Sequence, residues 1–149
     1  MPDRINFKPQ GYHTVTPYLI ITDVGRLINF LQQVFDGEVV ERLQLPGGRI
    51  MHAEVRIGDS RVMLGEAAGP EGVVSGMLHL YLEDVDATYR QALAAGATSL
   101  REPTNEFYGD RSAGVKDAFG NQWWLATHIE DVPPEEIQRR AAAQASAES

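Results

Sequence analysis

Residues 117–124 read DAFGNQWW, a Gly-Asn pair set between a polar strand end and two adjacent tryptophans. Such a pair flanked by alternating, strand-like runs marks a hairpin. The same signal stands 62 residues earlier at Gly58-Asp59, between IMHAEVRI and RVMLGE. Asp23-Val24 likewise returns 61 residues later as Asp84-Val85, and Gly37 has a looser counterpart in Gly96. Anchors that recur at nearly constant offset make an internal repeat, so one structural unit is used twice.

The unit can be read from its parts. Tyr18-Leu19-Ile20-Ile21 and Leu78-His79-Leu80-Tyr81-Leu82 are short β-rich runs, each followed by an Asp suited to cap a helix N-terminus. Leu27, Phe30, Leu31, Val34 and Phe35 then recur at helical spacing up to Gly37, and Val85, Tyr89, Ala92 and Leu93 do so up to Gly96. Short strands follow at 38–44 and 98–102, and each hairpin adds two more. The order is βαβββ in both halves, which gives an α+β fold of two tandem modules, at about 12–68 and 75–128. Gly69-Pro70-Glu71-Gly72 reads as the joint between them. Pro133-Pro134 opens a C-terminal helix that decays into a flexible Ala/Ser/Glu tail within 133–149.

Composition narrows the function. The 149 residues are 43% hydrophobic and 23% charged, enough apolar surface for one folded domain. A net charge of −8 argues against nucleic acid and anionic membranes as partners. With no cysteine in the chain, disulfides, thiolate nucleophiles and Cys-based zinc sites are excluded. No signal pattern or membrane-length apolar run stands near the start, so a cytoplasmic location is expected. A phosphate loop, a dinucleotide glycine fingerprint, HExxH and a serine elbow are all missing, and nucleotide cofactors are unsupported.

The phrases YHTVTPYL, MHAEVRIGDSRVML, EDVDATYRQALAAGA and FYGDRSAGVKDAFGNQWWLATHIEDV resemble the vicinal oxygen chelate superfamily, the glyoxalase/bleomycin resistance/dioxygenase family, and within it the PhnB-like branch. The resemblance spans 12–128. It implies that the two modules form one curled mixed-sheet cup with helices on the convex side, and that the protein pairs as a homodimer. Metal-using members so resembled would place ligands at Thr16, Met77, Trp124 and either Val62 or Leu64. Indole nitrogen only donates, thioether and neutral hydroxyl are poor ligands, and aliphatics offer nothing. The usual metal site therefore reads as dismantled, with no metal and no cofactor expected there.

Alternation along a strand sends Trp123 and Trp124 to opposite faces, one under the helix and one into the cup. Burying an indole is worth at most about 5 kcal/mol, at roughly 25 cal/mol/Å² over about 200 Å², so both are read as walls. Steps of two place Tyr18, His79, Glu66 and His128 beside the lost ligands on the concave face. His79, between Leu78 and Leu80, also fits a hydrogen-bonded core histidine. His52 and Glu54 share a strand face opposite Met51, Ala53, Val55 and Ile57, either as an acid/base pair or two ligands, or as a hydrogen-bonded pair at a sheet edge. In FYGDR, Tyr108 could stack or hydrogen-bond, and Arg111 could fork onto a substrate anion or bond Asp110 or loop carbonyls. The expected ligand-binding set is His52, Glu54, His79, Tyr108, Arg111 and Trp124, around a small organic molecule. The alternative is a metal-dependent lyase, isomerase or dioxygenase with a site rebuilt from His52, Glu54, Glu66, His79 or His128, a divalent metal then being its cofactor.

Overall fold

A computed structural model describes residues 5–148. The backbone divides between Ser75 and Gly76 into two compact units, each holding one βαβββ module. Module one runs β1 (Tyr18–Ile21), α1 (Val24–Phe35), β2 (Glu38–Gln44), β3 (Ile50–Ile57) and β4 (Ser60–Glu66). Its sheet has the order β1-β4-β3-β2, with β1 parallel to β4 and the remaining pairs antiparallel.

Helix α1 starts where Asp23 accepts a hydrogen bond from the Arg26 N–H at 3.1 Å. Its stripe of Val24, Leu27, Ile28, Leu31 and Val34 is buried against alternate strand residues Leu19, Ile21, Ala53, Val55, Val62 and Leu64. The opposite sheet face carries Tyr18, His52, Glu54 and Met63. The helix ends differently from the sequence expectation: Asp36, at φ 54°, takes the left-handed cap conformation. Gly37 serves close approach instead, since a Cβ there would lie 2.8 Å from Val55 Cγ1.

Module two repeats the plan with β5 (Met77–Tyr81), α2 (Val85–Ala94), β6 (Thr98–Asn105), β7 (Asp110–Lys116) and β8 (Gln122–His128). Its sheet order is β5-β8-β7-β6, again with the first strand parallel to the last. Asp84 caps α2 through the Ala87 N–H at 3.1 Å. Val85, Tyr89 and Ala92 are buried with Ala113, Val115, Trp123 and Leu125, whereas Leu93, assigned to the stripe by spacing, is 37% exposed.

The Gly69–Gly72 joint contains a short 3-10 turn at Pro70–Gly72, and Val74 then exchanges both backbone hydrogen bonds with Ile20, fastening this segment to module one. The C-terminal segment stays helical as α3 (Pro134–Glu148) rather than decaying. Arg140 fastens it through the Phe107 carbonyl and Glu130, both at 3.1 Å. No helix among the described residues is long and apolar enough to cross a membrane.

Candidate functional site

The two indoles face opposite environments. Trp123 is fully buried on the α2 side, with its Nε1–H donating to Asp117 Oδ2 at 2.9 Å. The other Asp117 oxygen accepts from the Phe119 and Asn121 backbone N–H groups at 2.8 and 3.0 Å, and the Asn121 side chain donates to Oδ2 at 2.9 Å. This carboxylate organises the whole 117–121 connection. The module-two turn is thus longer than its counterpart, where β3 and β4 are joined by Gly58-Asp59 alone. Gly120, at φ 88°, supplies the left-handed step.

Trp124 turns to the face away from α2. Its six-membered ring lies over Gly114, where a Cβ would approach Cζ3 to 2.6 Å. Register sets His79 beside Trp124 on one side and Gly114 on the other. His79 and Trp124, together with Met77, Tyr108 and the Arg101–Glu106 pair, line a cavity of about 480 Å³. His79 is exposed on this wall, 5.0 Å from the Tyr81 ring, and is not a core histidine. Removal from water and then the Glu106 carboxylate raise the Tyr108 hydroxyl above the ordinary phenol value, so it is a neutral donor. Arg101 reaches Glu106 at 2.9 Å and Ser112 donates to the same carboxylate at 3.0 Å. His79, Tyr108 and Trp124 are therefore brought together around one cavity with Arg101 and Glu106, and Gly114 lies against the indole; sequence reading singled out none of these last three.

Arg111 belongs elsewhere. Neighbouring positions of β7 alternate, so its guanidinium points to α2, where it forks onto Asp86 at 2.8 and 2.9 Å and also donates to Asn105 at 3.0 Å. The guanidinium holds the Asp86 carboxyl below its usual range. Among the described residues its hydrogen-bond partners are Asp86 and Asn105 rather than Asp110 or a loop carbonyl. Asp110, 2% exposed, instead accepts from Tyr81 and from His128 Nδ1, both at 2.8 Å. His128 Nε2 meets Asp131 at 2.7 Å, and carboxylates at both nitrogens raise its pKa, Asp110 first. The bond to Asp110 likewise raises that of Tyr81.

Module one carries a separate cluster. His52 Nε2 lies 2.9 Å from Glu54 Oε2, and Tyr18 meets His52 Nδ1 at 2.9 Å. Glu54 is 4% exposed and stands opposite Glu41 of β2 in register. A cavity of about 500 Å³ opens on Glu41, Glu54, Met63 and the segment containing Tyr12, His13 and Thr16. Glu66 corrects the expected register. Its carboxylate accepts from the Val24 and Ile50 N–H groups at 3.4 and 2.8 Å on the helix side, while Met63 takes the place beside Glu54.

The positions at which the resemblance would place metal ligands do not fit a cation. Val62 and Leu64 are buried under α1, Met77 offers only a thioether, and the Trp124 Nε1–H donates to Gln122 at 3.1 Å. Thr16 contributes one neutral hydroxyl.

The glyoxalase/bleomycin resistance protein/dioxygenase superfamily model matches residues 12–125. An uncharacterized protein of Mycobacterium bovis is 32% identical over 151 residues, an alignment covering 94% of this chain and 97% of the relative. TioX from Micromonospora sp. ML1 superposes with a TM-score of 0.66 at 26% identity, covering 76% of this chain and 97% of that one. A PhnB protein from Bacillus cereus shares the fold at a TM-score of 0.59 and 18% identity, over 77% of this chain and 99% of its own. A match running through both repeated modules, on a backbone with the expected order in each, makes this chain a member of the glyoxalase/bleomycin resistance protein/dioxygenase superfamily.

Proposed function

We propose that this protein binds a small, planar organic molecule in the module-two cavity by stacking and shape, without a cation at the family's ligand positions. The observation that carries this reading is the Trp124 ring lying over Gly114 in a cavity of about 480 Å³. That volume falls inside the range of small-molecule sites, and an aromatic wall with few polar groups suits them. Tyr108 offers a neutral hydroxyl and His79 an imidazole, while the Arg101–Glu106 pair satisfies its own charges and leaves shape as the main selector. Within this reading Arg111 shapes the wall indirectly, through its hold on Asp86.

A thermal-shift screen of planar aromatic compounds, followed by calorimetric titration of the hits, tests the proposal. Trp124→Ala is expected to weaken a hit by tenfold or more, in keeping with about 1–3 kcal/mol for a lost stacking partner. Unchanged affinity in that variant would place the binding site elsewhere. The alternative of a metal-dependent lyase, isomerase or dioxygenase draws on the convergence of His52 with Glu54 and Glu41 in module one.

A further inference from the structure

We propose that Glu41, His52 and Glu54 form a binding site for one divalent transition-metal ion, of the zinc or manganese class, on the face of the module-one sheet away from α1. One ligand atom from each residue lies within 4.8 Å of the others. Donors bound about 2.1 Å from one ion at tetrahedral angles are roughly 3.4 Å apart, so the widest pair must close by up to about 1.4 Å. The side chains already point together because Glu41 and Glu54 are register partners on β2 and β3, and His52 follows the Glu54 parity.

Electrostatics argues that something belongs between them. Like charges directly opposite on paired strands repel, and here one carboxylate is almost wholly out of water. Glu54 Oε2 meets His52, yet Oε1 is buried and has no hydrogen-bond partner among the described residues. Lys8 and His13 line the same cavity, but among the described residues neither forms an ion pair with Glu41 or Glu54. Glu41 and Glu54 both line a cavity of about 500 Å³, which has room for an ion and its remaining waters beside them.

The donor set selects the ion. One imidazole with two carboxylates suits zinc, manganese or iron(II), whereas an all-oxygen shell would favour calcium. Tyr18 on His52 Nδ1 supplies the outer partner that fixes a ligating ring, leaving Nε2 toward the carboxylates. These residues are distinct from Thr16, Met77, Trp124, Val62 and Leu64.

The experiment is calorimetric titration of tag-free, chelator-treated protein with zinc and manganese, with cobalt(II) absorption as a second readout. One equivalent is expected to bind with micromolar or tighter affinity for at least one of these ions. Glu41→Gln, Glu54→Gln and His52→Gln should each weaken it tenfold or more, and His128→Gln should leave it unchanged. Glu41 is exposed, so Glu41→Gln stays informative even if the buried Glu54→Gln variant fails to fold. Absence of binding up to millimolar ion, or one equivalent indifferent to Glu41→Gln and His52→Gln, would overturn the proposal. Neither outcome bears on Trp124, whose compound-binding test uses protein without added metal.

Discussion

At the scale of single residues, Asp117 and Gly114 decide more than their types announce. Asp117 is buried and takes four donors, one of them the Trp123 indole, so Asp117→Ala strands several buried polar groups at once. A loss of about 2–4 kcal/mol is expected, read from denaturant unfolding; a change under 1 kcal/mol would mean that water replaces the carboxylate. Gly114→Ala should cost about 1–3 kcal/mol and weaken a module-two ligand, because the new methyl meets the Trp124 ring. Parallel losses in melting temperature and calorimetric affinity would check it. The opposite facing of Trp123 and Trp124 was legible in the sequence, since period two is a local rule. The role of Gly114 was not, because it depends on which residue lies across the ladder.

At the scale of elements, the Asp23 and Asp84 caps and most strand boundaries follow directly from local chemistry. Register errors begin where ladders are irregular. A shift between Val39 and Glu41 breaks the alternation of β2, and shifts around Arg101 break that of β6. Glu41 and Arg101 were therefore not singled out from the sequence, although each lines a cavity. Glu66 was a different error: apolar Val62 and Leu64 should have assigned its side of β4 to the helix. The end of β8 gives a pH test. Acceptor oxygens at both nitrogens, Asp110 first, favour the imidazolium form of His128 and raise its pKa. Its stabilisation is then full below the unfolded value of about 6.5 and disappears as pH climbs through the higher folded value. The melting-temperature gap between the native protein and His128→Gln should accordingly be wider at pH 6 than at pH 9. An equal gap at both would remove the charged clamp.

At the scale of the whole molecule, the net charge of −8 gives a negative field, while the charged pair lining the module-two cavity is internally compensated. Among isosteric aromatic compounds, the anionic one should bind roughly tenfold more weakly than the cationic one at low salt, with the difference shrinking at 0.5 M as screening shortens to a few ångströms. Titrations at two ionic strengths measure this, and a salt-independent preference would assign the selectivity to direct contacts instead. The repeat was legible because its anchors lie at turns and caps, where few residue types serve. What each face does was less so, since the two modules share a backbone and differ in the side chains laid on it. Finally, the protein has two tryptophans. One is sealed against a carboxylate and its neighbour opens on a cavity. Intrinsic fluorescence should therefore contain a component that acrylamide cannot quench beside one that it can, so that each spectrum carries its own reference signal for folding alongside a reporter of occupancy.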